Sequence, residues 1–239
     1  MSYIAEAIKS GVRAGLLNSM GAMPGIIQSF DSAAQTVVVQ ISIMRIVDGK
    51  DEPYTLCVDV PILLPTVQGF HLTMPIKAKD ECLLIFADRC IDGWFDAGNV
   101  QRQVEHRVHH ISDAFAMIGV NSSPNTIPSY DTGSMVIRNT ANNQKITLKP
   151  SGDIDIDTAA NVNVTCTQAT VKASSSVTLD TPSTVMTGKL AVTGPITSAV
   201  SVTAPMVTGS TDVVFAGISG KGHVHDGVQS GSSTTSTPQ

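Results

Sequence analysis

The hydrophobic and polar positions of this 239-residue chain follow three successive patterns. In SYIAEAIKSGVRAGLLNSM, residues 2–20, Ile4, Ile8, Val12 and Leu16 recur at every fourth position. That spacing draws one narrow apolar stripe along a helix. Gly11 and Gly15 weaken the helix, so the stripe needs a covering surface. Packing against its own protein is expected in preference to a membrane, because only Lys9 and Arg13 decorate the polar face. GAMPG then ends the helix.

From Gly25 to about Gly119 the pattern turns to strands. QTVVVQISIMRIV is β-branched and alternates, VDVPILLP is a short strand bounded by prolines, and ECLLIFAD is a continuous apolar run suited to a buried strand. Pro53, Pro61, Pro65 and Pro75 break the region into several short strands. RVHHISDAFAMIGV adds a helical turn or a closing strand. A compact five-strand barrel of roughly 95 residues fits this spacing, and a Greek-key barrel of the OB type is one way to close it.

NSSPNTIPSYDTGS, residues 121–134, marks a boundary rich in Ser, Pro and Gly. Beyond it, apolar residues alternate in short bursts: Ile146 and Leu148, Ile154 and Ile156, Val162 and Val164, Val177 and Leu179, Val200 and Val202. Ser, Thr, Gly or Pro interrupts each burst, and no helical period is present. Ordering a residue costs about 1–2 kcal/mol of backbone entropy, while burying a valine returns about 1.5–3 kcal/mol. With half the side chains facing water, strands this short and small cannot build a core within one chain. Sustained alternation argues against a disordered stalk. Several chains wound about one axis would share a thin core and leave almost no free edge.

Composition sharpens this division. From Asp131 onward the only aromatic is Phe215, whereas Phe86, Trp94, Phe95 and Phe115 lie earlier. The net charge of −5 offers no basic stripe for nucleic acid. Cys57, Cys82, Cys90 and Cys166 show no CxxC spacing and read as buried free thiols. No signal-peptide pattern and no bilayer-length apolar run is apparent, so a soluble product made in a cytoplasm is expected.

Candidate chemistry is sparse. Asp153, Asp155 and Asp157 in GDIDID begin like a calcium loop, but Thr158 stands where glycine is needed and Val164 where glutamate is needed. They read as carboxylates on a wet face, with Ile154 and Ile156 facing in. His106, His109 and His110, beside Glu105 and Asp113, could imitate a metal or general-base cluster, yet neither GxSxG nor HExxH accompanies them. A polar surface element near the barrel's end is the better reading, and no enzyme is expected. SGKGHVHDGVQSG differs. On extended backbone His223 and His225 point to the same side, and no other His or Cys is near in sequence. A threefold assembly would gather six imidazoles on one axis as an octahedral set. Tetrahedral zinc would leave two unused, whereas iron, nickel and copper accept imidazole. Iron(II) is the first choice, with nickel or zinc less favoured.

The order of helix, small barrel, Thr/Val/Gly-rich segment and terminal FAGISGKGHVHDGV resembles the membrane-piercing central spike proteins of contractile-tailed bacteriophages. PILLPTVQGFHLTMPIKAKDECLLIFADRCIDGWF and HHISDAFAMIGV look like that family's OB domain, and IDGW, KLAVTGPITSA and GHVHDG are the most specific parts. Lys79 departs from the glycine expected at its turn. The resemblance implies an all-β homotrimer: an N-terminal helix at 1–22, an OB-fold domain at 23–120, a linker at 121–133, an intertwined triple-stranded β-helix at 134–215, and an apex at 216–239. It further implies one iron ion per trimer held by His223 and His225 of each subunit, with residues 227–239 folded back over the tip. The implied partners are baseplate hub or tail tube proteins, and the implied target is the bacterial outer membrane, pierced from the virion's baseplate tip. A trimeric adhesin or receptor-binding fibre is the rival, disfavoured by the lack of an aromatic-rich head.

Overall fold

The structure, a computed structural model, describes residues 3–17, 19–224, 227 and 231. Its secondary elements are α1 (Tyr3–Leu17), β1 (Ala22–Asp31), β2 (Thr36–Ile41), β3 (Arg45–Val47), β4 (Lys50–Glu52), β5 (Cys57–Leu63), β6 (Thr66–Val67), β7 (Phe70–His71), β8 (Glu81–Phe86), α2 (Asp92–Ala97), β9 (Ala114–Ile118), β10 (Met135–Asn139), β11 (Gln144–Leu148), β12 (Ile154–Asp157), β13 (Val214–Phe215) and β14 (Ile218–Ser219). They fall into two compact units, residues 1–165 and 166–239.

Within the first unit, β1, β2, β5, β9 and β8 close into a barrel in that order. The β5–β9 pairing is parallel and the other pairings are antiparallel. Alternation explains the interior: Val37, Val39 and Ile41 from β2, Cys82, Leu84 and Phe86 from β8, and Ala114 and Ala116 from β9 all point inward and are buried. The run ECLLIFAD is therefore half-buried, not buried on both faces, and Ile85 lies on the exposed outer face. A small closed barrel covers only its inner side. Register shifts at Ile27/Ser29 and Val37/Val39 add the bends that closure requires.

The segment read as a helix-ending break, GAMPG, instead starts β1. Pro24 lies before the first β1–β2 partners, Gly25 and Ile41; it sits opposite Leu83 of β8, and its carbonyl accepts from the Ser42 amide (2.9 Å), so its missing N–H costs no β1–β2 ladder bond. Gly25 is needed for space: a Cβ at this position would stand 2.4 Å from Val39 Cγ1. Lys79 adopts φ +80, the left-handed conformation for which glycine is best suited, while its amide donates to the Ile27 carbonyl at 2.8 Å.

Helix α1 leaves its apolar stripe uncovered by the described residues of this chain: Ile4, Ile8, Val12 and Leu16 are all exposed. The residues after it are tied to the barrel by the Met20 amide on the His109 carbonyl (3.1 Å), the Phe86 amide on the Gly21 carbonyl (2.9 Å) and the packing of Met20 on the core. The thiols also differ from expectation. Cys57 and Cys82 are buried, with burial raising each thiol pKa to about 11, but Cys90 is half-buried and Cys166 exposed. No helix among the described residues is long and apolar enough to cross a membrane.

Candidate functional site

The polar cluster at the barrel's end is organised by a residue with no prominence in the sequence. Arg107 donates from Nε to Asp113 Oδ2 (2.9 Å) and from Nη2 to Asp113 Oδ1 (2.9 Å), a two-pronged pair. The same guanidinium reaches Glu105 (2.7 Å) and Asp92 (2.8 Å), while the Ile91 amide donates to Asp113 (3.0 Å). Burial pushes the Asp113 carboxyl upward in pKa, but the Arg107 fork and the Ile91 amide outweigh it and hold the group below the usual carboxylate range. Arg107 in turn is held firmly protonated, chiefly by its bond to Asp113. This clasp fastens α2 and the 105–113 loop to β9, helped by Trp94, whose ring centroid lies 5.6 Å from that of Phe115.

The clasp also accounts for a metal-like grouping. Cys90, Asp92 and Asp113 bring one ligand atom each within 4.8 Å of one another. Arg107 Nη2 contacts all of them, at 3.2 Å from Cys90 Sγ and 2.8 and 2.9 Å from the two carboxylates. The guanidinium is the cation of this cluster. The histidines do not join it: His109 Nε2 lies 3.2 Å from Asp88, His110 Nδ1 accepts from the Ser112 amide, and His106 is exposed. Of the residues flagged in QVEHRVHHISD, the structure thus brings Glu105 and Asp113 together through Arg107 and leaves the imidazoles apart.

A second feature lies after the boundary segment. Glu81 accepts from the amide and hydroxyl of Ser122 and from Asn125 Nδ2, fastening the exit of the barrel to the short 3-10 turn Ser123–Asn125. Strands β10, β11 and β12 then form an antiparallel sheet. Its register aligns Ile137, Ile146 and Ile156 in one row and Met135, Leu148 and Ile154 in the next. The period of two places both rows on the same face. All of these side chains are exposed, Ile154 at 66%. A groove lined by Ile137, Ile146, Ile156 and Val162 runs along this face. On the other side Lys145 pairs with Asp157 (3.5 Å) and Lys149 with Asp155. The acidic run thus lies on a polar face, as read, with Lys145 and Lys149 as partners that the reading lacked; Ile154 and Ile156, expected to face in, are exposed instead, with no interior among the described residues.

From Thr158 to Val213 the chain forms neither strand nor helix, and its aliphatic residues up to Val207 are exposed, Val200 at 94%.

The third feature is a short hairpin, β13–β14, turned by Ala216 and Gly217 at φ +50 and +86. Asp212 sits beneath it. Its Oδ1 accepts from the amides of Val213 (2.8 Å) and Lys221 (3.1 Å). The Ser219 hydroxyl, first among these donors, lowers the Asp212 pKa. Ser219 Oγ accepts from the Gly222 amide (2.8 Å), and the Ser219 carbonyl lies 3.0 Å from His223 Nδ1. Gly220 donates to the Val213 carbonyl at 2.8 Å, and a Cβ on it would stand 2.9 Å from that same oxygen. His223 is therefore anchored at the end of an ordered polar chain. His225, the other predicted ligand, lies outside the described residues, as do all but Gly227 and Gly231 of the tail expected to fold back.

The chain thus joins a self-contained small barrel to an aliphatic segment without a core of its own, the make-up of a structural β protein. Residues 23–119 match the family model for the phage protein Gp138 N-terminal domain, and residues 165–199 match the model for the phage spike trimer. The two matches support a phage baseplate and spike protein family for the chain. No curated protein matches it.

Proposed function

We propose that the chain is the central spike of a contractile phage tail, a homotrimer that pierces the bacterial outer membrane point-first. The observation behind this reading is the exposure of every large aliphatic side chain from Met135 to Val207 on the described face and segment, other than the partly covered Val136. Such a surface exceeds what a soluble monomer leaves open. Two further copies of the chain would supply what is missing: the isoleucine rows of β10–β12 would meet around a common axis, and residues 158–213 would pair strand to strand between chains as a triple-stranded β-helix. The match of 165–199 to a model named for a trimer agrees with this. The barrel's strand order, with its parallel β5–β9 pair, suits the OB-type collar of such a spike.

Strands hydrogen-bonded between chains resist compression without unfolding, because no strand can leave without breaking a continuous ladder. Force from sheath contraction would pass from the baseplate hub through the barrel to the apex. There, three copies of His223 and His225 would hold an iron(II) ion and staple chain ends that otherwise fray. The fit rests on His223: its Nδ1 faces the Ser219 carbonyl, so ligation falls to Nε2, the arrangement common in histidine metal sites.

Sedimentation with elemental analysis of the purified full-length protein tests the proposal. A species of three chain masses carrying one iron is expected, and a well-folded monomer would overturn it. His223→Ala combined with His225→Ala should remove the metal and leave the trimer intact.

A further inference from the structure

We infer that Asp212 is a positioning residue for the His223 ligand, setting the imidazole's tautomer and direction before any metal arrives. The inference rests on the metal reading above and adds to it a residue distant from the HVH motif in sequence.

The argument follows the hydrogen bonds outward. Asp212 Oδ1 gathers the amides of Val213 and Lys221, which fixes the two arms of the β13–β14 hairpin relative to each other. Ser219 stands beside the same carboxylate and lowers its pKa, while its Oγ accepts from the Gly222 amide at 2.8 Å. Together these contacts hold residues 219–222 in one tight turn. That turn brings the Ser219 carbonyl to 3.0 Å from His223 Nδ1. A carbonyl can only accept, so Nδ1 must carry the proton. The neutral ring then keeps its ligating lone pair on Nε2. Without the Asp212 acceptor, the Lys221 and Val213 amides lose their shared partner and the turn loses its reason to close.

The negative charge strengthens the two amide bonds that share Oδ1. Asparagine would keep that oxygen as an acceptor but lose the charge and put an N–H donor in place of Oδ2. Outer-shell partners of metal-bound histidines carry about 10–100-fold in metal affinity. That is the expected loss for Asp212→Asn.

The test uses the full-length trimer stripped of metal by chelator and back-titrated anaerobically with iron(II) against a competing chelator. Wild type, Asp212→Asn, Ser219→Ala and His223→Ala are compared, with amide hydrogen exchange of the segment 209–224 measured on the stripped proteins. Asp212→Asn should bind iron(II) about 10–100-fold more weakly and exchange faster at Lys221 and Gly222 without metal, while still sedimenting as the wild type does. Ser219→Ala should shift both readouts the same way by less, which keeps the test informative if the Asp212 variant misassembles. Unchanged affinity in Asp212→Asn and Ser219→Ala, with iron lost in His223→Ala, would overturn the positioning role and leave the metal reading standing. Retention of iron by His223→Ala, or a wild type that binds none, would overturn both.

Discussion

The barrel and the segment beyond it solve the same problem of burying alternating aliphatics in opposite ways. In β2, Val37, Val39 and Ile41 turn into a space enclosed by four other strands of the same chain. In β11, Ile146 and Leu148 turn toward a face that the described residues leave open. Local pattern is the same in both. The difference is sequence distance and bulk: the barrel brings strands separated by many residues around Phe86, Leu84 and Ile27, whereas the later strands are short, follow one another directly and carry few large side chains. Alternation specifies a face, and only topology determines whether one chain can cover it.

The comparison breaks most decisively at the sheet face. Replacing Ile146 and Ile156 together by aspartate should abolish the trimer in sedimentation while far- and near-ultraviolet signals of the barrel persist; a trimer that survived would show that this face is not an interface. Next comes the clasp. Arg107→Ala strands the buried Asp113 carboxylate and should cost about 3–5 kcal/mol in denaturant unfolding of the barrel. Adding Asp113→Asn should recover part of that loss. Gly25→Ala forces Val39 aside in a filled interior and should cost about 1–3 kcal/mol, without affecting the oligomeric state. Acid sharpens the same contrast. Because Asp113 is held below its unfolded value of about 3.9, its contribution is present above that pH and fades as pH falls through the folded pKa. Barrel stability should therefore drop below about pH 4 in the wild type and drop less steeply in Arg107→Ala. The smallest effect has the opposite sign: Lys79→Gly relieves a left-handed lysine and should raise the barrel's unfolding free energy by about 1 kcal/mol in denaturant titration.

What could be read from sequence was whatever depends on near neighbours along the chain. TVVVQI announced a strand, RVHHISDAFAMIGV left a helical turn or a closing strand open, the Ser/Pro/Gly run at 121–134 announced a change of regime, and Lys79 drew notice because a turn there favours glycine. Three things stayed hidden. GAMPG looked like a helix stop because Pro24 and Gly25 are read locally as breakers, yet Pro24 stands before the β1–β2 ladder begins and Gly25 admits Val39. The run IDGW gave no sign of helix α2, whose six residues are too few to show a period. Arg107 was masked by the neighbouring histidines, since an arginine among polar residues reads as solvated; its partners Cys90 and Asp92 lie 17 and 15 residues away in sequence. HVH was legible as a pair, but Asp212 was not, because it is the β13–β14 hairpin that brings its carboxylate to the Lys221 amide nine residues on.

The closed barrel has a consequence for how the molecule is made. Synthesis proceeds from the amino end, and domains fold as units while they emerge. Residues 22–118 can therefore settle into a finished, soluble body before the ribosome has delivered the greasy strands that follow. Each nascent chain would then carry its own float while its sticky half waits for siblings, and neighbouring ribosomes on one message would provide them.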